Sequence, residues 1–388
     1  MCCCLSPPLS AAPPARSADT AAAPHPDREE AEALARQQVW ADAHAHPGRC
    51  FLAGLPADHP LLRLLGPPYP ERALDDLSGG GVRLASFATV GDLQALSLTP
   101  QGIRALHELA PGRAEADHQR QLGAIARVLE AAGCPLVRTA ADLPTPETGA
   151  LRVLVGCEGA DFLEGRLEGL EEVHRRGARC ITLVHYRINE LGDIQTEPPR
   201  HGGLTPFGAQ VVAEMNRLGM VVDLAHATFE VTRDVLDRTS APVMISHSHL
   251  ARGADPHPRL LSAEHALAVT RAGGVVAAWP AGFALTSFDQ FVEEILRMVE
   301  LLGVDRVALG TDMDANYQPV LTRYRQLPDL AAGLLQRGLS PAEVGQVLGG
   351  NLLRLFAQVL PAKAAPDGLL GPGARPDPGQ GARSPGAR

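Results

Sequence analysis

Lysine is almost missing from this chain. Of its 35 basic side chains all but Lys363 are arginine, so residues 1–362 contain none. That excludes a phosphate-loop lysine, a Schiff-base lysine in the core and a carboxylated lysine bridging two metal ions. Aromatic residues are also scarce, at 4% of 388, so the 45% hydrophobic content must build a core from Leu, Val and Ala. There is no long run of one charge sign: 35 basic against 44 acidic residues give a net charge of −9 without a polyanion-binding surface, which excludes nucleic acid as a partner. No apolar stretch approaches the length of a membrane span. The seven cysteines lack disulfide spacing: Cys2, Cys3 and Cys4 crowd the start, while Cys50, Cys134, Cys157 and Cys180 stand singly. They read as reduced thiols of a cytoplasmic protein. Residues 5–25 have no apolar core, so a signal peptide is not expected.

The ends differ from the middle. Residues 1–27 and 362–388 are rich in Ala, Pro, Gly and Arg and are expected to be disordered tails, leaving one domain over 28–361. Within it, short apolar runs predict strands at 39–44, 82–89, 151–157, 180–185, 220–225, 242–246, 274–279 and 306–310. Helices are predicted at 117–132, 163–176, 205–218, 228–239, 262–272 and 288–302, with three more at 328–337, 341–348 and 351–360. Thr205-Pro206 reads as an N-cap followed by a first-turn proline, Gly219 as a C-cap, and Ser262 as a further N-cap. Eight strands alternating with helices, and no glycine-rich dinucleotide loop after the first, fit an α/β fold of the (β/α)8 TIM-barrel type. The less regular 90–150 stretch reads as an insertion after the second strand.

Nearly every predicted strand ends in a residue type that binds metals: Asp42-Ala43-His44-Ala45-His46, Glu158, His185, His226, His247 and Asp312. Side chains alternate along an extended chain, so 42, 44 and 46 share a face and both imidazoles can point one way. A carboxylate closing an apolar strand, as Glu158 does, is costly to bury without a cation or partner. Taken singly, each residue has an ordinary explanation as a core histidine, an ion-paired acid or a chance surface pair. Six in register at strand C-termini describe a barrel mouth lined with imidazoles and carboxylates, the setting of a metallohydrolase. Asp312 and Asp314 follow the last strand on a shared face, where a carboxylate beside metal-activated water serves as general base.

Longer strings carry a resemblance. Leu204-Thr205-Pro206-Phe207-Gly208 leading into Asn216-Arg217-Leu218-Gly219-Met220-Val221-Val222-Asp223-Leu224-Ala225-His226 resembles the membrane (renal) dipeptidase family of binuclear zinc peptidases. So do Ala241-Pro242-Val243-Met244-Ile245-Ser246-His247-Ser248, Gly310-Thr311-Asp312-Met313-Asp314 and Gly350-Asn351-Leu352-Leu353-Arg354-Leu355-Phe356. The likeness is strongest over 151–357 and poor from about 50 to 150. It implies two Zn2+ ions per chain: His44 and His46 on the first, His226 and His247 on the second, Glu158 bridging. It further implies that His185 contacts the substrate or its tetrahedral intermediate, that Asp312 handles the proton, and that Arg259 grips the substrate's terminal carboxylate.

Three departures bear on the substrate. Position 46 is His where the family has Asp, Leu260 follows Arg259 where Asn is usual, and Trp279-Pro280-Ala281-Gly282 replaces an aromatic, amide-rich stretch. The expected activity is hydrolysis of dipeptides. A lactonase or other amide or ester hydrolase on the same barrel is the alternative, with a non-catalytic binding barrel behind it. The sequence allows a homodimer without specifying one.

Overall fold

The computed structural model describes residues 28–99, 102–254 and 256–362. The expected tails at 1–27 and 362–388 lie outside the described residues, apart from Ala362, as do Cys2, Cys3, Cys4 and Lys363. Ten strands are present among the described residues: β1 (Trp40–Ala45), β2 (Val82–Val90), β3 (Leu96–Thr99), β4 (Gly102–Ala105), β5 (Arg152–Glu158), β6 (Ala178–Thr182), β7 (Val221–Asp223), β8 (Met244–Ser248), β9 (Val275–Ala278) and β10 (Val307–Leu309). Eight form one parallel sheet in the order β1-β2-β5-β6-β7-β8-β9-β10. The first and last meet through a parallel bridge between Ala45 and Met313, with Asp312 N donating to His44 O at 2.8 Å and His46 N to Met313 O at 3.0 Å. The sheet therefore curls into the expected barrel.

Its interior is filled by small and branched side chains, among them Ala41, Ala43, Leu84, Leu154, Val221, Val275 and Ala308. The last helix, Asn351–Val359, adds Leu352, Leu355 and Phe356 to this cluster and so closes the barrel at the N-terminal ends of the strands. A turn of chain passes very close to make that possible: a Cβ on Gly349 would stand 1.9 Å from Val39 O. The opposite, C-terminal end is left open to loops, as this architecture requires.

Local chemistry starts and stops the helices where anticipated. Thr205 Oγ1 accepts from Gly208 N at 2.9 Å ahead of the helix Pro206–Leu218, which ends at Gly219 with φ 67°. Ser262 Oγ accepts from His265 N at 3.1 Å. Boundaries differ in two places that matter. The expected strand 180–185 ends at Thr182, so His185 sits on the following loop. The expected strand 242–246 runs instead from Met244 to Ser248, because Pro242 has no N–H for the ladder, and this puts His247 inside the strand. The 90–150 region does follow β2. It contains the antiparallel hairpin β3–β4 and the long helix Arg113–Ala132. The hairpin, and the helices Arg28–Gln37, Pro60–Leu65 and Pro70–Gly79, were not anticipated.

Candidate metal centre

Five imidazoles converge on one carboxylate at the open end. Glu158 closes β5, and its Oε1 lies 3.4, 3.2 and 3.4 Å from the Nε2 atoms of His44, His226 and His247. Its Oε2 lies 3.2 Å from His46 Nε2 and 3.4 Å from His185 Nε2. Asp312 approaches from beyond β10, with Oδ1 3.5 Å from His46 Nε2. All seven side chains are buried. Three sets have ligand atoms within 4.8 Å of one another: His44, Glu158 and His247; His44, His46 and Asp312; Glu158, His185 and His226. His226 and Asp312 reach in from left-handed backbone, at φ 67° and 51°. Left-handed backbone is uncommon for side-chain-bearing residues and points to an over-determined site.

Hydrogen bonds on the far ring nitrogens decide what faces inward. His46 Nδ1 lies 3.1 Å from Ala88 O, an atom that can only accept, so the proton sits on Nδ1 and Nε2 carries a lone pair. Ser246 Oγ donates to Asp223 Oδ2 at 2.6 Å and accepts from His247 Nδ1 at 2.9 Å, which fixes the same tautomer there. The Nε2 atoms of His44 and His46 are 3.2 Å apart, and those of His226 and His247 3.1 Å. The lone pairs of His46 and His247 are thus each turned toward a neighbouring ring nitrogen and toward the Glu158 carboxylate, and an imidazole locked by its second nitrogen is the usual form of a metal-binding histidine. The donor set fits a borderline-soft divalent ion.

Electrostatics sort the same groups. Burial opposes the ionisation of Glu158, but the imidazoles of His185 and His44 hold its carboxyl well below the usual range. Burial would lower His44 and His185 too. Glu158 overrides it for His44, and Asp92 with Glu158 for His185, lifting each to about 9. Burial keeps His226 and His247 neutral, well below the ordinary imidazole value. It also raises Asp312, against the pull of His46.

Of the anticipated residues, His44, His46, Glu158, His185, His226, His247 and Asp312 gather at this mouth. Arg259, on the loop after β8, is buried, lies 5.1 Å from the Trp279 ring centroid and donates from Nη1 to Gln195 Oε1 at 2.7 Å. Its Nε and Nη2 have no partner among the described residues, nor has the buried Trp279 Nε1. Two side chains depart from the expected face. Asp42 turns to the segment after β10, accepting from Thr311 N, Thr311 Oγ1 and Tyr324 Oη at 2.9, 2.5 and 2.7 Å. Asp314 accepts from Gly48 N at 2.7 Å and Tyr69 Oη at 2.5 Å, so it braces the loop after β1. Asp92 was missed. It lies just beyond β2 and accepts from His185 Nδ1 at 2.7 Å and from Tyr186 N at 2.9 Å.

A family model described as membrane dipeptidase (peptidase family M19) matches residues 85–366. The chain belongs to this family. Peptide-bond hydrolysis is the chemistry that the family's description names. Dipeptidase tcpJ of Claviceps purpurea is 34% identical over 240 residues, covering 58% of this chain and 54% of the relative. Dipeptidase aclJ of Aspergillus oryzae is 35% identical over 221 residues, covering 54% and 52%. The chain thus spans about half the length of the curated relatives it matches. Among solved structures, the probable dipeptidase PvdM of Pseudomonas aeruginosa superposes with a TM-score of 0.72 at 18% identity, over 87% of this chain and 99% of that one. A Rhodobacter sphaeroides metallopeptidase liganded with a phosphinate mimic of L-Ala-D-Ala gives 0.68 at 21%, over 83% and 99%. At these identities the two structures speak for the fold.

Proposed function

We propose that the chain is a zinc-dependent dipeptidase holding two Zn2+ ions at the barrel mouth. The carrying observation is the convergence of five imidazole nitrogens on Glu158, with the lone pairs of His46 and His247 turned inward. His44 and His46 would hold one ion and His226 and His247 the other, with Glu158 shared. A zinc ion held there would supply Lewis-acid chemistry, making water more acidic and the scissile carbonyl more electrophilic. His185, oriented by Asp92, donates from Nε2 to the carbonyl oxygen as it gains charge. Asp312 takes the proton of the attacking water and returns it to the leaving amine. Arg259 binds the terminal carboxylate with the two nitrogens that lack a partner among the described residues, in the bidentate geometry a guanidinium offers. Family membership favours an amide over a lactone, and the complete constellation argues against a non-catalytic barrel. Cys50, Cys157 and Cys180 are free, buried thiols, which supports a reducing, cytoplasmic setting.

The deciding measurement is hydrolysis of dipeptides by the zinc-loaded protein, repeated with Arg259→Ala. Loss of a charge-assisted pair is worth roughly 1.5–3 kcal/mol, or about tenfold to a hundredfold in kcat/KM. That loss is expected on substrates with a free terminal carboxylate and not on their amides. Equal losses on acid and amide would remove the clamp and favour the lactonase alternative.

A further inference from the structure

One wall of the cleft above the metal centre is wholly apolar. Phe51, Leu61 and Leu65 come from the segment after β1, Leu93 from just beyond β2, and Leu96 and Ile103 from the β3–β4 hairpin. They line the same cleft as His46, Glu158 and Asp312, and the Phe51 ring stands 5.1 Å from that of His46. The hairpin is strapped in place: Arg104 Nη1 donates to Glu197 Oε1 at 2.6 Å and to Thr196 O at 3.2 Å, on the loop beyond β6. Leu96 and Ile103 are only half-buried, and so still offer apolar surface to the cleft.

Arg259 stands on the other side of the ring. It follows β8, which in the eight-stranded order lies four places from β2, diametrically across the barrel. A dipeptide with its carboxylate at Arg259 and its amide over Glu158 therefore turns its first residue toward the wall above β1 and β2. No residue of that wall has a side-chain nitrogen or oxygen, so a polar group placed there goes unpaired while an apolar one leaves water. From this we infer that specificity lies on the acyl side of the scissile bond. The substrates are dipeptides whose first residue carries a large aliphatic or aromatic side chain. The inference rests on the dipeptidase reading and on Arg259 as the carboxylate clamp.

The test uses the zinc-loaded full chain and four dipeptides with a common second residue: Gly-Ala, Ala-Ala, Leu-Ala and Phe-Ala. From Gly-Ala to Leu-Ala or Phe-Ala, kcat/KM should rise at least tenfold, the scale on which apolar pockets discriminate. In Ile103→Asp the ratio of Leu-Ala to Gly-Ala should fall at least fivefold, and Arg-Ala should gain relative to both. Ratios that stand unchanged in the variant overturn the inference, as does a flat wild-type profile. Hydrolysis of none of the four by protein holding two zinc ions overturns the dipeptidase reading along with it.

Discussion

Asp92 uses both carboxylate oxygens on the loop that carries His185, one for the ring Nδ1 and one for Tyr186 N. An asparagine there keeps both bonds only if His185 Nδ1 gives up its proton and accepts, so the ring loses the positive charge that the carboxylate supports. Asp92→Asn should therefore leave metal content and fold in place while lowering kcat roughly tenfold to a hundredfold, the usual cost of losing such an orienting partner. A fall in melting temperature with kcat preserved would make Asp92 a packing residue instead. The sequence held a signal for it: Asp92 follows an apolar strand just as Glu158 does. The signal was lost because everything after residue 89 looked like an insertion. His44, His46, Glu158, His226, His247 and Asp312 were legible for the converse reason, each closing a run whose period was plain. Asp42 and Asp314 were misread because alternation along a strand says nothing of which neighbour a carboxylate meets across the barrel.

At the scale of elements, the helix Arg113–Ala132 shows where local sequence stops being sufficient. Its body was foreseen, but its start lies four residues earlier because Glu164, from the loop after β5, accepts from Gly112 N, Ala114 N and Glu115 N. A cap supplied from some fifty residues away leaves no mark nearby. The same helix packs His118 against β5, with Nε2 3.3 Å from Cys157 Sγ and its ring stacked 4.0 Å from Phe162. Burial, with Arg176 adding to it, pushes the imidazole down to about 3. The unfolded chain takes up a proton near pH 6.5 while the folded one resists until about 3. The neutral ring's contribution is therefore whole above pH 6.5 and lost as pH falls through that window. Between pH 7 and pH 5 the loss should be about 2 kcal/mol. Urea titrations at the two pH values should show that increment in the wild type and lack it in His118→Leu; equal pH dependence in both would mean that His118 is charged in the fold.

For the whole molecule, the metal site and the barrel closure are the same structure. His44 on β1 and His46 just beyond it, Glu158 on β5, His247 on β8, and the loops after β6, β7 and β10 all bring their side chains to one point. The seam between β1 and β10 runs directly beneath it, through His44 O and His46 N. The unfolded chain offers these side chains scattered over about 270 residues, so on the proposed reading zinc would bind the closed barrel far better than the open chain, and binding would be coupled to folding. At a free concentration of about a thousand times Kd that coupling contributes roughly 4 kcal/mol. With an unfolding entropy of about 2.1 cal/mol/K per residue, a barrel of this size should lose on the order of 5 °C in Tm when zinc is chelated. Readded zinc should restore it in a concentration-dependent way. Glu158→Gln, having lost the charge shared by both sites, should bind less zinc and show a much smaller response to chelator. A Tm indifferent to zinc in the wild type would show that the barrel closes without the ions, and an undiminished response in Glu158→Gln would show that this carboxylate is not the one they share.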